Sequence, residues 1–174
     1  MKMGDGHIKQ EDLIWLDKEL SKRCTPGKRV VSVNHYPIQP DLDNWQDYIA
    51  ILQKYPTIVH ICGHYHVFDK YKGGDIDAVK CRALDMKAKG LGYGYTDFSI
   101  NNDSIFVYNK ELGEQPELKY AFKANAEHKP YVRQQDESFA MPENFTIERV
   151  YQDYASIFTR LAIDKDKIYF GNSL

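Results

Sequence analysis

Two short runs of mainly apolar residues, each followed by a histidine, constrain the fold of this chain more than any other feature. Val30–Val33 precedes Asn34-His35, and Thr57–Cys62 precedes Gly63-His64-Tyr65-His66. Runs of this length and β-branched content predict buried strands. Between them, apolar residues recur at helical spacing from Trp45 to Leu52. The order strand, helix, strand predicts a parallel pair of strands joined by a helical crossover.

The sequence on either side of this unit predicts an α/β protein. Upstream, a helix from Gln10 to Arg23 is predicted, with leucines at helical spacing and with Ile14 and Trp15 widening its apolar face. Asp43 or Asn44 is expected to cap the next helix. Downstream of His66, strand-like runs alternate with turn signals, which predicts antiparallel strands. These runs are Val67–Tyr71, Ala78–Leu84, Tyr95–Ile100, Ser104–Tyr108 and Leu118–Ala124.

The chain is expected to have three parts. Residues 8–124 carry the periodic segments and form the main domain. Residues 125–150 are polar and aperiodic, which is typical of a linker. Residues 151–174 contain two strand-like runs, 154–162 and 167–170, around Asp164-Lys165-Asp166. Because a lone hairpin is barely stable in water, this tail is interpreted as an incomplete β segment.

Composition excludes several classes of function. The 174 residues carry a formal net charge of −2 and no basic run, so nucleic acid is not an expected partner. No apolar stretch is long enough for a membrane span, and no signal segment is present. The three cysteines are widely spaced and predict no disulfide framework. Localisation stays open.

The strand-end histidines predict a metal site. The carboxyl ends of neighbouring parallel strands face one crevice, so His35, His64 and His66 are expected to lie close together. Imidazole is a ligand for zinc, iron and manganese, and these three histidines are the predicted metal ligands. Gly63 is expected to provide the sharp turn that separates His64 from His66.

The other three histidines are expected to lie outside this site. His60 falls in mid-strand, where a hydrogen-bonded core residue is the ordinary outcome. His7 and His128 lie in polar loops. Carboxylates, which a two-metal hydrolytic centre needs, do not follow either strand. Asp69, Asp75 and Asp77 come later and are expected at solvated loop positions.

Two segments resemble a known family. Val31-Ser32-Val33-Asn34-His35-Tyr36-Pro37 and Cys62-Gly63-His64-Tyr65-His66 resemble the C-terminal half of calcineurin-like metallophosphoesterases. The helix that begins Gln10-Glu11-Asp12-Leu13-Ile14-Trp15-Leu16 matches the Q-xx-WL helix of many members. The resemblance covers residues 8–110 and implies part of a two-sheet αββα sandwich, with a mixed sheet and the helices outside.

The resemblance also implies an activity. Members hydrolyse phosphate mono- or diesters at two divalent or trivalent ions, such as iron, manganese or zinc. By that resemblance His35 and His64 would share one ion, and His66 would bind the other. A small phosphate ester is the substrate implied.

The family's carboxylate-bearing motifs D-x-H, G-D-x-x-D and G-N-H-D/E are absent. Gly4-Asp5-Gly6-His7 lacks a preceding strand, and Val33 replaces the glycine that would precede Asn34-His35. No catalytic residue is therefore assigned. We expect a fragment that is inactive alone and whose missing partner is the N-terminal half of the domain. The tail from Ser156 to Asn172 resembles the first strands of a PQQ-type β-propeller repeat, which implies a secreted or periplasmic parent.

Two other functions remain open from the residues. A degenerate binding or structural module would explain the missing acidic motifs, but it leaves the three retained histidines unexplained. A mononuclear zinc hydrolase could use His35, His64 and His66 with water as the fourth ligand, but it lacks an identifiable general base. A truncated sheet would also expose an apolar edge, so self-association is expected.

Overall fold

Helices and strands alternate in the first half of the structure and give way to antiparallel strands in the second. The computed structural model describes residues 6–101, 103–133, 158–164 and 167–172. Neither helix in these ranges is long and apolar enough to cross a membrane. The elements are α1 Gln10–Arg23, β1 Val30–Val33, α2 Trp45–Leu52, β2 Thr57–Cys62, β3 Asp69–Gly73, β4 Ile76–Lys80, a 3₁₀ turn Lys87–Lys89, β5 Gly94–Ile100, β6 Ser104–Glu111, β7 Glu117–Lys123, β8 Phe158–Asp164 and β9 Lys167–Asn172. The predicted α/β class is confirmed.

The first sheet is mixed and has the strand order β1-β2-β4-β3. The predicted parallel pairing of β1 with β2 is confirmed, with Val33 opposite Ile61. β3 and β4 form an antiparallel hairpin, as expected after His66. However, β4 also pairs in parallel with β2, which the sequence pattern did not predict. Ala78 and Val79 are fully buried, so β4 takes an interior position while the polar strand β3 takes the edge.

The sheet is covered on its two faces by different layers. On one face, Tyr48, Ile49 and Leu52 of α2 pack with Leu13 of α1 in one core cluster. On the other face lies an antiparallel sheet of order β5-β6-β7. Its residues Ile105 and Val107 pack against apolar side chains of the first sheet. The layers are therefore helices, mixed sheet and antiparallel sheet.

Strand β1 lies at the edge of the mixed sheet and keeps part of its apolar surface open. Val31 is 41% exposed and Val33 is 67% exposed, while Ser32 points to the helical face and is buried. On α1, Leu13 is buried but Ile14 and Trp15 are each 61% exposed, so the predicted widening of its apolar face is wrong.

The N-terminal stretch is attached to the loop before α2. Asn44 occupies the predicted N-cap position, but its side chain makes no capping hydrogen bond. Its amide instead pairs with the backbone of Ile8, accepting from the Ile8 N–H at 3.0 Å and donating to the Ile8 carbonyl at 2.5 Å. Gly6 also forms a bridge to Leu42. The chain from Gly6 onward is therefore held beside the strand ends.

The first part of the predicted linker lies against α2. Residues 125–133 contain no helix or strand. Gln53 donates a hydrogen bond to the Lys129 carbonyl at 2.6 Å, and the Tyr131 hydroxyl donates to Gln46 at 3.0 Å. Residues 134–150 lie outside the described part of the chain. In the tail, β8 and β9 pair antiparallel, close to the two predicted runs.

Candidate metal site

The three parallel strands β1, β2 and β4 end side by side. The candidate residues follow the carboxyl ends of these strands. His35 follows β1 by two residues, and Gly63 follows β2 directly. The Gly63 N–H donates to the His35 carbonyl at 3.1 Å, which links the two strand ends. Lys80, the last residue of β4, lies opposite Cys62. Side chains from all three strand ends therefore share the position where ligands bind to open α/β sheets.

His35 and His64 face each other through ring nitrogens. The Nε2 atom of His35 lies 3.4 Å from Nδ1 of His64, and the two rings are nearly perpendicular. Two imidazole nitrogens bound to one tetrahedral zinc at about 2.0–2.1 Å would be about 3.4 Å apart. A direct N–H···N bond of this length would be weak. The spacing fits one ion held between the two rings.

The turn after β2 is made by the histidines themselves. His64 has a φ of 71° and His66 a φ of 50°, both in the left-handed region. Gly63, which was expected to make this turn, does not have a positive φ, and a Cβ there would meet nothing closer than 3.8 Å. The expectation for Gly63 is therefore wrong. The left-handed region disfavours non-glycine residues by about 1–2 kcal/mol each, and such strain clusters at functional sites.

Aromatic rings surround His64. It is 6% exposed, with the Tyr36 ring 4.2 Å away and the Tyr65 ring 5.0 Å away, measured between centroids. Tyr36 in turn packs against Gly6, where an added Cβ would come within 2.6 Å of the ring. Only glycine fits there without displacing Tyr36. The N-terminal stretch thus supports the ring that covers His64.

Asp41 is the carboxylate of this region that the sequence pattern missed. It lies in the loop between β1 and α2, and the Tyr65 hydroxyl donates a hydrogen bond to it. Burial lowers the pKa of His64, and positive charge on His35 or His66 lowers it further, while the Asp41 carboxylate acts in the opposite direction. No sequence signal marks Asp41, because it follows neither a strand nor a histidine.

His66 is exposed, and its backbone is tied to a neighbouring turn. Its carbonyl accepts a hydrogen bond from Lys89 Nζ at 2.7 Å, which ties the 3₁₀ turn to the histidine turn. Among the described residues, no group of three His, Cys, Asp or Glu side chains is arranged to hold a metal ion. The structure therefore brings together His35 and His64, and it does not add His66 to them as a third ligand.

The remaining three histidines, His60, His7 and His128, are not part of the His35–His64 pair. His60 is fully buried, with Nδ1 2.9 Å from the Ser32 hydroxyl, so its assignment to the core is confirmed. His7 pairs with Asp43 at 3.4 Å. His128 donates to the Thr57 carbonyl at 2.6 Å, at the opposite end of β2 from His64.

The three acidic residues after the histidine turn are not all solvated. Asp77 lies within β4, is only 13% exposed, and pairs with Lys70 and Lys72 at 3.5 and 3.6 Å. The expectation of a solvated loop position is wrong for Asp77. Asp75 lies in the turn between β3 and β4, where it accepts from the Lys129 N–H at 3.3 Å. Asp69 is exposed at the start of β3.

One buried acceptor beside the site has no partner in the described part of the chain. The Oδ1 atom of Asn34 is buried and makes no hydrogen bond to any described residue. An unsatisfied buried acceptor costs about 1–3 kcal/mol. Asn34 directly precedes His35, so the unmet hydrogen bond lies at the end of the open edge strand.

No protein-family model matches this chain, and no curated protein matches it significantly.

Proposed function

We propose that this chain carries the histidine half of a two-metal phosphoesterase centre, and that the intact parent hydrolyses phosphate mono- or diesters. The observation that carries the proposal is the 3.4 Å separation of His35 Nε2 and His64 Nδ1 at the ends of two adjacent parallel strands. The family is the calcineurin-like metallophosphoesterases, whose pattern assigns these two histidines to one ion. His66, which is exposed, is assigned to the second ion.

The donor set fits borderline metals such as zinc, iron or manganese. Both facing ligand atoms are imidazole nitrogens, which these metals accept. The left-handed conformations of His64 and His66 are a strain that a structural turn does not require, because glycine would occupy both positions more favourably. Metal coordination would offset this strain. When bound, two ions would activate a water molecule and offset the charge that develops on the phosphoryl oxygens.

The proposal also accounts for the open edge of the mixed sheet. In the proposed αββα sandwich, further strands lie beyond β1 and cover Val31 and Val33. Carboxylates at the ends of those strands would lie next to His35. The unmet acceptor of Asn34 and the exposed apolar face are both at this edge. The N-terminal half of the domain is therefore the proposed partner of this chain.

Metal titration of the purified chain tests the proposal. Co²⁺ and Zn²⁺ are titrated into the wild type and into His35→Ala, His64→Ala and His128→Gln, with affinity measured by calorimetry and by the visible spectrum of Co²⁺. We expect one weak site whose affinity falls by about tenfold or more in the first two variants, since a ligand is removed. His128→Gln is the matched control, because His128 lies at the opposite end of β2.

Other outcomes would favour other functions. Metal binding that is unchanged in His64→Ala would contradict the proposal and favour a degenerate binding module. One equivalent of zinc together with esterase activity would favour a mononuclear zinc hydrolase. We expect little or no hydrolysis of p-nitrophenyl phosphate or its bis-ester by the isolated chain. Robust metal-dependent hydrolysis would show that the site is complete without the missing half.

A further inference from the structure

The third parallel strand of the mixed sheet ends in a cation beside the histidine turn. Lys80 is the last residue of β4 and lies opposite Cys62, directly before Gly63-His64. The Cys81 N–H continues this pairing by donating to the Cys62 carbonyl at 2.6 Å. Lys80 on β4 therefore lies beside Cys62, the last residue of β2 before the histidine turn. Its side chain begins at the same strand ends as the candidate ligands.

Two aromatic rings hold the ammonium group of Lys80. Its Nζ lies 5.0 Å from the centroid of the Tyr65 ring and 4.9 Å from that of Tyr71. The same Tyr65 ring packs against His64 at 5.0 Å. Cation–π contacts of this kind stabilise an ammonium group by about 0.5–1 kcal/mol at exposed sites and more where water is excluded. Tyr65 therefore connects the cation of Lys80 to the imidazole of His64.

The charge of Lys80 is not neutralised by the described residues. No carboxylate in residues 6–101 and 103–133 forms an ion pair with it, whereas Lys70 and Lys72 of the neighbouring strand both pair with Asp77. Asp69, which lies opposite Lys80 on β3, instead accepts from the Lys70 N–H at 2.8 Å. The Asp41 carboxylate is bonded to the hydroxyl of Tyr65.

A partly buried, uncompensated cation beside a metal site attracts anions. The aromatic faces position the ammonium but leave its net charge in place. Its three N–H donors suit the non-bridging oxygens of a phosphate group, and charge-assisted hydrogen bonds of this type are the strong ones. Low local dielectric between the rings increases the attraction.

We propose that Lys80 binds the phosphate group of the ligand and is a substrate-binding residue of this site. The inference rests on the proposed function, because it places the phosphate between the histidine pair and the end of β4. It adds a specificity determinant that belongs to neither metal. Lys80 contributes affinity for the anion and makes no contribution to affinity for the metal.

The test uses the full chain loaded with Co²⁺, with inorganic phosphate as the probe. Phosphate affinity is measured by calorimetry and by the visible spectrum of Co²⁺ in the wild type and three variants. Lys80→Met removes the charge but keeps an apolar stem over both rings, and Lys80→Arg restores a cation. Lys70→Met is the matched control, because Lys70 lies over the Phe122 ring at 4.5 Å on the opposite face of the sheet.

We expect Lys80→Met to weaken phosphate binding by about tenfold, which corresponds to about 1.4 kcal/mol. Lys80→Arg should recover most of this loss, and Lys70→Met should change phosphate affinity by less than about twofold. Co²⁺ affinity should be the same in all four proteins. The effect of Lys80 should also shrink at high salt, since exposed charge interactions are screened.

Three results would overturn the inference in different ways. Normal Co²⁺ binding with equal phosphate affinity in the wild type and Lys80→Met would reject the role of Lys80 and leave the proposed function standing. A chain that binds no Co²⁺ at any concentration would reject the proposed function, and the role of Lys80 with it. A loss of Co²⁺ affinity in Lys80→Met would assign Lys80 to the structure of the site instead.

Discussion

His35 and His64 present ring nitrogens to each other across 3.4 Å, although they belong to different strands and are separated by 28 intervening residues. The parallel pairing of β1 with β2 brings the two strand ends together. His64 stands in a turn where both it and His66 have a left-handed conformation. The strain in this turn can be tested at the exposed residue His66.

The backbone strain at His66 is predicted to appear as a difference in the free energy of unfolding between His66→Gly and His66→Ala. His66→Gly and His66→Ala both remove an exposed imidazole, but only glycine relieves the positive φ of 50°. At an ordinary exposed position alanine is the more stabilising residue of the two. Here we expect the glycine variant to be more stable than the alanine variant by about 1 kcal/mol. Urea unfolding of both variants measures this difference.

One outcome of the same experiment would contradict the prediction. An alanine variant as stable as the glycine variant, or more stable, would mean that the turn does not hold His66 in a left-handed conformation in solution. The affinity of the weak site at His35 and His64 should change little in either variant, because His66 is not a third ligand of that ion.

The bond between Tyr65 and Asp41 is predicted to stabilise the histidine turn. Tyr65→Phe removes the hydroxyl that donates to the Asp41 carboxylate but keeps the ring that contacts His64. A hydrogen bond to a charged group contributes about 1.5–3 kcal/mol, so we expect a loss of about 1–2 kcal/mol in a partly exposed position. Tyr95→Phe is the matched control, because Tyr95 is exposed on β5.

A double-mutant cycle separates this bond from other effects. Asp41→Asn and Tyr65→Phe are made singly and together, and the free energy of unfolding is measured for each. Residues in direct contact show coupling energies of about 0.5 kcal/mol or more. Additive losses would mean that the two side chains act independently.

The parts of the fold that could be predicted from sequence are those set by local pattern. α2 and β2 follow from helical spacing and from a β-branched run, and each lies within a residue of its expected bounds. The parallel pairing of β4 with β2 could not be predicted, because Ile76–Lys80 is too short to indicate its partner. Its position is decided by burial of Ala78 and Val79 between two layers.

The histidines of the candidate site could be identified from the sequence, but most of their surroundings could not. Histidines at strand ends are visible in the sequence, and parallel pairing brings two of them together. Asp41 and Lys80 join them only through tertiary structure, since they come from a loop and from a third strand. The left-handed φ of His64 and His66 is likewise not visible in the sequence pattern, which wrongly assigned the sharp turn to Gly63.

Arg82, which follows β4 and contacts Asn109 and Glu111 of β6, is predicted to be the most sensitive of the described charged residues to substitution. Its guanidinium is fully buried, donates to Asn109 at 2.6 Å and to the Gly92 carbonyl, and lies 3.7 Å from Glu111. Removing one partner of a buried charged network costs about 3–5 kcal/mol. We therefore expect Arg82→Met to lower the free energy of unfolding by about 3 kcal/mol.

Arg23 offers a matched control for this prediction. It also pairs with a glutamate, Glu19, at 2.8 Å, but its side chain is 78% exposed. Exposed pairs contribute at most about 1 kcal/mol, so Arg23→Met should be nearly neutral. Equal effects of the two substitutions would contradict the buried role of Arg82.

Stability is predicted to fall in mild acid because of His60. Burial lowers the pKa of His60 from its ordinary value of 6.5 to about 4. Between these two values the unfolded chain binds a proton that the folded chain does not, so the contribution of His60 to the free energy of unfolding decreases as the pH falls through this window and changes no further below about pH 4. The full contribution of this group is about 3 kcal/mol.

Urea unfolding from pH 7.5 to pH 4 should show this decrease in the wild type and in Ser32→Ala, which keeps the buried imidazole and removes only the hydroxyl next to it. In His60→Gln the decrease should be smaller by about that amount, whatever the stability of this variant at neutral pH. An equal decrease in His60→Gln and in the wild type would mean that His60 is not the buried group whose protonation unfolds the protein.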